Sequence, residues 1–237
     1  MRPRAIFLDM DDTILNTSGG VEAAWAVVCG EFAAQIGVEP VALRERIRGE
    51  ANEFWRDEAK VGHWRLDLAG ARQHVVGLAL DGLGLDVLTA APIGERYNEE
   101  ITLRHSLFDD AVEALEWLRA DGYKLGLLTN GPAAMQTHKV ARFDLARHFD
   151  VVVIEGVFGK GKPERAVFEH ALAVTGTAAG EAWHIGDNLY ADIGGAQAAG
   201  IHAVWIHRDR LELGEAPHAV PDRVIGHLSE LRAQLMS

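Results

Sequence analysis

The chain is short of cysteine, short of basic charge and without any long apolar run. Its one cysteine, Cys29, excludes an intramolecular disulfide. It falls in a helical pattern, where it reads as a small apolar residue. A reducing compartment, the cytoplasm, is the matching expectation. Lysine and arginine number 23 against 35 aspartates and glutamates, a formal net charge of -12. That balance excludes a nucleic acid polymer as the primary ligand, because phosphate backbones are held by basic surfaces. No stretch approaches the ~18 apolar residues of a membrane span, and no secretion signal precedes the first apolar run, so no membrane partner is expected. Internal repeats and low-complexity segments are missing as well. What is present is 237 residues, 48% of them hydrophobic. That suits one large domain or two small ones around a substantial core.

The most informative stretch is Ala5-Ile6-Phe7-Leu8-Asp9-Met10-Asp11-Asp12-Thr13-Ile14-Leu15. Its first four residues are apolar without alternation, the pattern of a strand buried on both faces of a parallel sheet. Ligands of such sheets sit beyond the carboxyl ends of the strands, where Asp9 and Asp11 fall. Crowded carboxylates repel unless a proton or a cation intervenes, and Mg2+ prefers oxygen ligands. An Asp-rich turn is the plainer reading of the same residues. A Ca2+ loop of the EF-hand type is excluded, because its required Gly and Glu are replaced by Ile14 and Gly20.

From 19 to 104 the periodicity is helical. Val21, Trp25, Val28, Phe32 and Ile36 form one stripe, and Leu43, Ile47, Ala51 and Phe54 a second. Leu66, Ala69, Gln73, Val76 and Leu80 make a third, interrupted by Gly70 and Gly77. Ile93, Tyr97 and Ile101 make a fourth, just after Pro92. Strand and helix then alternate. Further strands are expected over 123–128, 151–154, 182–185 and 202–206, with helices between them and a last helix through Leu228, Leu231 and Leu235. This is an α/β fold, a doubly wound parallel five-stranded sheet with an all-helical insert. Residues 214–221 read as a loop.

Each strand end carries polar residues. Thr129-Asn130-Gly131 can form an anion site at a helix start or an ordinary turn. Gly156 to Lys162 has the Gly-x4-Gly-Lys spacing of a phosphate-binding loop. Pro163 stands where that loop needs Ser or Thr, which excludes it. Gly186-Asp187-Asn188-Leu189-Tyr190-Ala191-Asp192 ends the fourth strand, with Asp187 also readable as a helix cap.

In this order, with Gly161-Lys162-Pro163 at a helix start as the third, these four segments resemble the four motifs of the haloacid dehalogenase superfamily, most of whose members are Mg2+-dependent phosphatases. Arg165 departs from the family, which often has a second proline there. The resemblance implies a Rossmann-like core over 1–16 and 105–237 and a cap domain over 17–104, with hinges near 16–20 and 104–107. It implies Asp9 as nucleophile, Asp11 as general acid and base, and Lys162 as the cation facing the phosphate. Thr129 and Asn130 would bind phosphate oxygens. Mg2+ would be held by Asp9, the Asp11 backbone carbonyl and Asp187, with Asp192 and Asn188 supporting from behind. The motif details are most similar to the group of N-acylneuraminate-9-phosphatase and the pyrimidine nucleotidases. A small phosphate monoester, of sugar-phosphate or nucleotide type, is the expected substrate, and a monomer or homodimer the expected state. In the insert, Trp55, Arg56, His63 and Arg65 flank a polar turn over 57–62 and suit a polar leaving group.

The rival functions are a metal-independent dehalogenase, a sugar-phosphate mutase, a phosphonate-cleaving enzyme and a non-catalytic binding protein. The dehalogenase branch has tyrosine where this chain has Asp11. Phosphonate cleavage needs a cap lysine, and Lys60 is the only one in the insert.

Overall fold

The computed structural model describes residues 2–208 and 219–236. The first strand, β1 (Ala5–Leu8), is buried along its whole length. Its side chains alternate between two apolar layers. Ile6 and Leu8 join a layer with Leu125, Leu127, Ile185 and the helix α6 introduced below. Ala5 and Phe7 join another with Leu128, Val151 and Ala203. Burial on both faces is why the strand reads as an unbroken apolar run.

Five more strands follow: β2 (Lys124–Thr129), β3 (Val151–Ile154), β4 (Ala182–Gly186), β5 (His202–Ile206) and β6 (Arg223–Ile225). They pair in the order β3-β2-β1-β4-β5-β6, all parallel. Ile6 lies opposite Leu125 on one side and Trp183 on the other. The order reverses between β1 and β4, the switch point at which open α/β sheets bind ligands. The five expected strands are all present, and β6 is an addition. It has three residues, opens with arginine and exposes Val224. An edge strand need not be apolar, so it carries no periodic signal.

The chain divides into two compact units, one made of Met1–Asn16 and Leu107–Ser237 and the other of Thr17–Ser106. The second is helical: α1 (Val21–Ile36), α2 (Pro40–Phe54), α3 (Glu58–Trp64), α4 (Leu68–Gly82) and α5 (Ala90–Arg104). Its core holds Trp25, Val28, Leu43, Ile47, Phe54, Val76, Leu80, Ile93 and Ile101, with Trp25 stacked on Tyr97 at 3.8 Å. Two expectations need correction here. The polar turn expected over 57–62 lies in helix α3, except for Asp57, which precedes it. The third stripe is shifted. Asp67 caps α4 through the Gly70 N–H, so the helix starts after Leu66, which stays half exposed. The buried stripe is Ala71, Val75, Val76, Ala79 and Leu80. Gly94 of α5 lets α4 come close, since a Cβ there would meet Gln73 Cγ at 2.7 Å.

In the first unit α6 (Ala111–Ala120), α7 (Ala133–Arg142) and α8 (Arg165–Thr175) connect the strands. No single helix among the described residues is long and apolar enough to cross a membrane. Most of the loop expected over 214–221 lies outside the described residues.

Candidate active site

Asp9 continues the β1 ladder, its N–H donating to Ile185 O at 2.9 Å. This holds its side chain at the switch point. The next turn is tight. Asp12 has φ 55°, a left-handed conformation that aspartate tolerates better than most residues. Asp12 N–H donates to Leu15 O at 2.6 Å. The Thr13 carbonyl accepts from Arg208 Nη2 at 2.6 Å. Arg208 in turn donates from Nη1 to Asp110 at 3.0 Å and lies 3.6 Å over the Phe108 ring.

Lys162 is the centre of the site. Its ammonium is 2% exposed and bonds Asp9 Oδ1 and Asp192 Oδ1, each at 2.5 Å. His184, fully buried in β4, contacts the same Asp192 oxygen through Nε2 at 2.9 Å. Since a carboxylate only accepts, Nε2 carries the hydrogen. The other oxygen of Asp192 accepts the Asn188 N–H at 3.1 Å. Gly186 makes room for this, because a Cβ there would meet Asp192 Cγ at 2.2 Å. The last turn, Leu189–Gly194, is widened to a π-helix, with Ile193 N–H reaching back to Asn188 O. Such widened turns recur at functional sites.

Carboxylate oxygens of Asp9, Asp187 and Asp192 all lie within 4.8 Å of one another. Burial pushes the Asp9 carboxyl up to about 7 against the pull of Lys162, and Asp192 and Asp11 add to the rise. Burial opposes charge on Asp192 too, but Lys162 and the His184 donor outweigh it and hold it at about 2. One ammonium thus faces two carboxylates, and the second donor, His184, favours charge on Asp192. Lys162 loses to burial and gains more from Asp192 and Asp9, so it stays protonated. Burial and the charges of Asp9 and Asp192 push Asp187 well above the usual carboxylate range. As a residue Asp187 is exposed, so crowding by like charge weighs more than burial. A divalent cation would relieve that crowding. The donors on offer are all oxygen, which fits a hard ion such as Mg2+.

The structure therefore brings together Asp9, Lys162, Asp187 and Asp192. It places Asp11 differently. The Asp11 carboxylate is held by α7, accepting from Lys139 Nζ at 2.8 and 2.7 Å and from Gln136 Nε2 at 2.9 Å. Thr129 is buried, its hydroxyl accepting from Gln136 at 2.7 Å. The Asn130 side chain clamps the Lys162 main chain, donating to its carbonyl and accepting its N–H, both at 2.7 Å. Asn188 caps the widened turn through Tyr190 and Ala191 N–H. Asp187 is tethered through its carbonyl, which accepts from Trp205 Nε1 at 2.7 Å. In the helical unit Trp55 stands edge-on to Phe54 at 4.9 Å and is 39% exposed. His63 stands edge-on to Trp64 at 5.3 Å, Arg56 is exposed and Arg65 is half-buried.

Sequence reasoning missed Gln136, Lys139, His184, Trp205 and Arg208. Two carried a signal. His184 interrupts an otherwise apolar strand, and Lys139 adjoins Val140 on the buried side of α7. Charged and polar residues at such positions are rare without a partner.

Residues 3–200 match the haloacid dehalogenase-like hydrolase family. The chain is similar to phosphoserine phosphatase of Thermus thermophilus, 33% identical over 96% of this chain and 97% of the relative. It is also similar to N-acylneuraminate-9-phosphatase of Mus musculus, 26% identical over 100% and 95%. A haloacid dehalogenase-type phosphatase of Thermococcus onnurineus superposes with a TM-score of 0.65 at 29% identity, covering 98% of this chain and 97% of the other. The chain belongs to the haloacid dehalogenase-like hydrolase family, and the two curated relatives named above, each matched over nearly its whole length, are phosphatases.

Proposed function

We propose that the protein is a Mg2+-dependent phosphatase that hydrolyses small phosphate monoesters through an aspartyl-phosphate on Asp9. The observation that carries this reading is the single buried ammonium of Lys162 between Asp9 and Asp192, with Asp187 alongside. A dianionic phosphate repels an anionic nucleophile, so positive charge must face both. Lys162 supplies one such charge, held in place by Asp192 and by the Asn130 clamp on its main chain. Asp9, Asp187 and the Asp11 carbonyl would hold Mg2+, which when bound neutralises phosphate oxygens. Thr129 and the Asn130 N–H would receive the remaining phosphate oxygens.

The reaction divides into two displacements. An Asp9 oxygen attacks phosphorus, the bond to the ester oxygen breaks, and the departing alkoxide takes a proton from Asp11. Water then attacks phosphorus, Asp11 regains a proton from it, and phosphate leaves with Asp9 restored. The helical unit, inserted directly after the Asp9 strand, acts as the cap. It chooses among monoesters that the phosphate site cannot tell apart, with Trp55, Arg56, His63 and Arg65 as the selecting residues. Curated relatives are named for phosphoserine, an acylneuraminate phosphate and glyceraldehyde 3-phosphate, all small phosphate monoesters, and polar and aromatic cap residues suit polar leaving groups of that size.

The test is chemical. Acid-quenched enzyme mixed with radiolabelled substrate should carry label that hydroxylamine removes, and Asp9→Asn should neither turn over nor take up label. In heavy-oxygen water the released phosphate, not Asp9, should carry the heavy atom. Heavy oxygen in Asp9 would instead mean attack at carbon, as in a dehalogenase.

A further inference from the structure

We propose that Lys139 and Gln136, one turn apart on α7, are positioning residues that fix the Asp11 carboxylate for proton transfer at the leaving oxygen. The inference rests on the reading of Asp11 as general acid and base.

Lys139 is 6% exposed, and among the described residues Asp11 is the partner of its ammonium. A lysine is rarely buried, and a buried ion pair contributes little net stability compared with apolar residues of the same size. Packing alone gives no reason to prefer this pair at a site that an apolar residue would fill. The ammonium meets both Asp11 oxygens, which fixes the plane of the carboxylate, and Gln136 donates to one of them. Three hydrogen bonds leave at least one of the roughly four acceptor positions of a carboxylate unused. The Asp11 side chain is 32% exposed while that of Lys139 is 8% exposed, so the carboxylate is gripped from the protein side and open on the other.

Gln136 is oriented by its surroundings. Its Nε2 lies near Asp11 Oδ2, Thr129 Oγ1 and Asn130 O, at 2.9, 2.7 and 2.8 Å. A carboxylate and a carbonyl only accept, so the amide nitrogen must face them. Its Oε1 is buried without a partner among the described residues. An orphaned buried acceptor is a cost to the fold. The site bears that cost in an arrangement that ties Asp11 to the strand end at Thr129 and Asn130. Three elements, the turn after β1, the end of β2 and α7, are thereby locked around one carboxylate.

The test uses the dependence of rate on the leaving group. A departing alkoxide needs a proton, whereas 2,4-dinitrophenolate leaves without one. The protein with Mg2+ is assayed on an alkyl phosphate and on 2,4-dinitrophenyl phosphate, as wild type, Asp11→Asn, Lys139→Met and Gln136→Met. General acid catalysis contributes about 10²–10⁴-fold, so Asp11→Asn should lower kcat/KM, which covers the first displacement and not the hydrolysis step common to both esters, far more on the alkyl ester than on the aryl ester. Lys139→Met, and Gln136→Met to a smaller degree, should show the same bias. For Lys139→Met, kcat/KM on the alkyl ester should fall about tenfold more than on the aryl ester. Melting curves of each variant identify any that is unfolded, and Gln136→Met keeps the test open if Lys139→Met does not fold. Equal losses on both esters, or none, in the α7 variants while Asp11→Asn is biased would overturn the positioning role. An unbiased Asp11→Asn would overturn the acid–base reading of Asp11 and the inference with it.

Discussion

Asp192 is the most heavily used carboxylate in the site, with Lys162, His184 and the Asn188 N–H on its two oxygens. Removing one member of a buried pair leaves the other unpaired, at a cost of about 3–5 kcal/mol. Asp192→Ala should therefore lose stability as well as activity, whereas Asp9→Asn, with Lys162 still held by Asp192, should stay folded. A second residue-scale prediction concerns pH. Burial alone would raise the Asp150 carboxyl, but the Leu125 N–H at 2.9 Å and the charges of Lys124 and Arg119 outweigh it and hold it below the usual range. A carboxyl depressed on folding stabilises the fold above its unfolded pKa, about 3.9. That contribution is lost as pH falls through the lower folded value. Asp150→Asn should melt below wild type near neutrality, and the gap should close toward pH 3. A gap that widens in acid would contradict the assignment.

At the scale of elements, caps and close approaches set where helices begin and how they pack. Asp67 stops the α4 pattern from extending back to Leu66, because its side chain takes the Gly70 N–H at 2.9 Å. Asp67→Ala should cost about 1 kcal/mol in chemical denaturation, and Asp67→Asn much less. Gly94→Leu should cost more, about 1–3 kcal/mol, since the new side chain must displace Gln73. The third helical stripe misled for this reason. Its period was present, but the phase was set by a cap and a glycine contact. The polar turn over 57–62 misled because a seven-residue helix, Glu58–Trp64, is too short to show a stripe. By contrast, α1, α2 and α5 bury Trp25, Leu43, Ile47, Ile93 and Tyr97 at the positions their periodicity marks.

At the scale of the whole molecule, the carboxylates proposed to hold Mg2+ and the residues proposed to select the leaving group belong to different units. Mg2+ binding to the folded chain alone should raise the melting temperature, by about 2.7 kcal/mol of stability at a hundredfold excess over Kd. Asp187→Ala should abolish that shift and, without metal, should melt no lower than wild type, because it removes one of three crowded carboxylates. An undiminished Mg2+ shift in the variant would place the ion elsewhere. Selection by the cap predicts a different pattern. Among Arg56→Ala, His63→Ala and Arg65→Ala, at least one should lose about tenfold or more in kcat/KM on the best metabolite, about 1.4 kcal/mol, with little change on a simple aryl phosphate. Parallel losses on both substrates would remove these residues from the selecting role.

The sequence by itself determined five of the six sheet strands, the helical character of the stretch between β1 and β2, and the order of Asp9, Thr129, Lys162 and Asp187 along the chain. These are local properties: apolar runs of strand length, helical periods, and polar residues where a strand ends. It left β6 unmarked, because an edge strand of three residues buries too little to show a pattern. The tertiary structure alone decided which partner each charged group at the strand ends takes. Lys139 meets Asp11 across 128 positions, and Arg208 meets the Thr13 carbonyl across 195. No local period encodes such pairs. They follow from the parallel order of the sheet, which gathers strand ends that lie far apart in the chain, and from the cost of burying a charge, which forces each one gathered there to find its opposite.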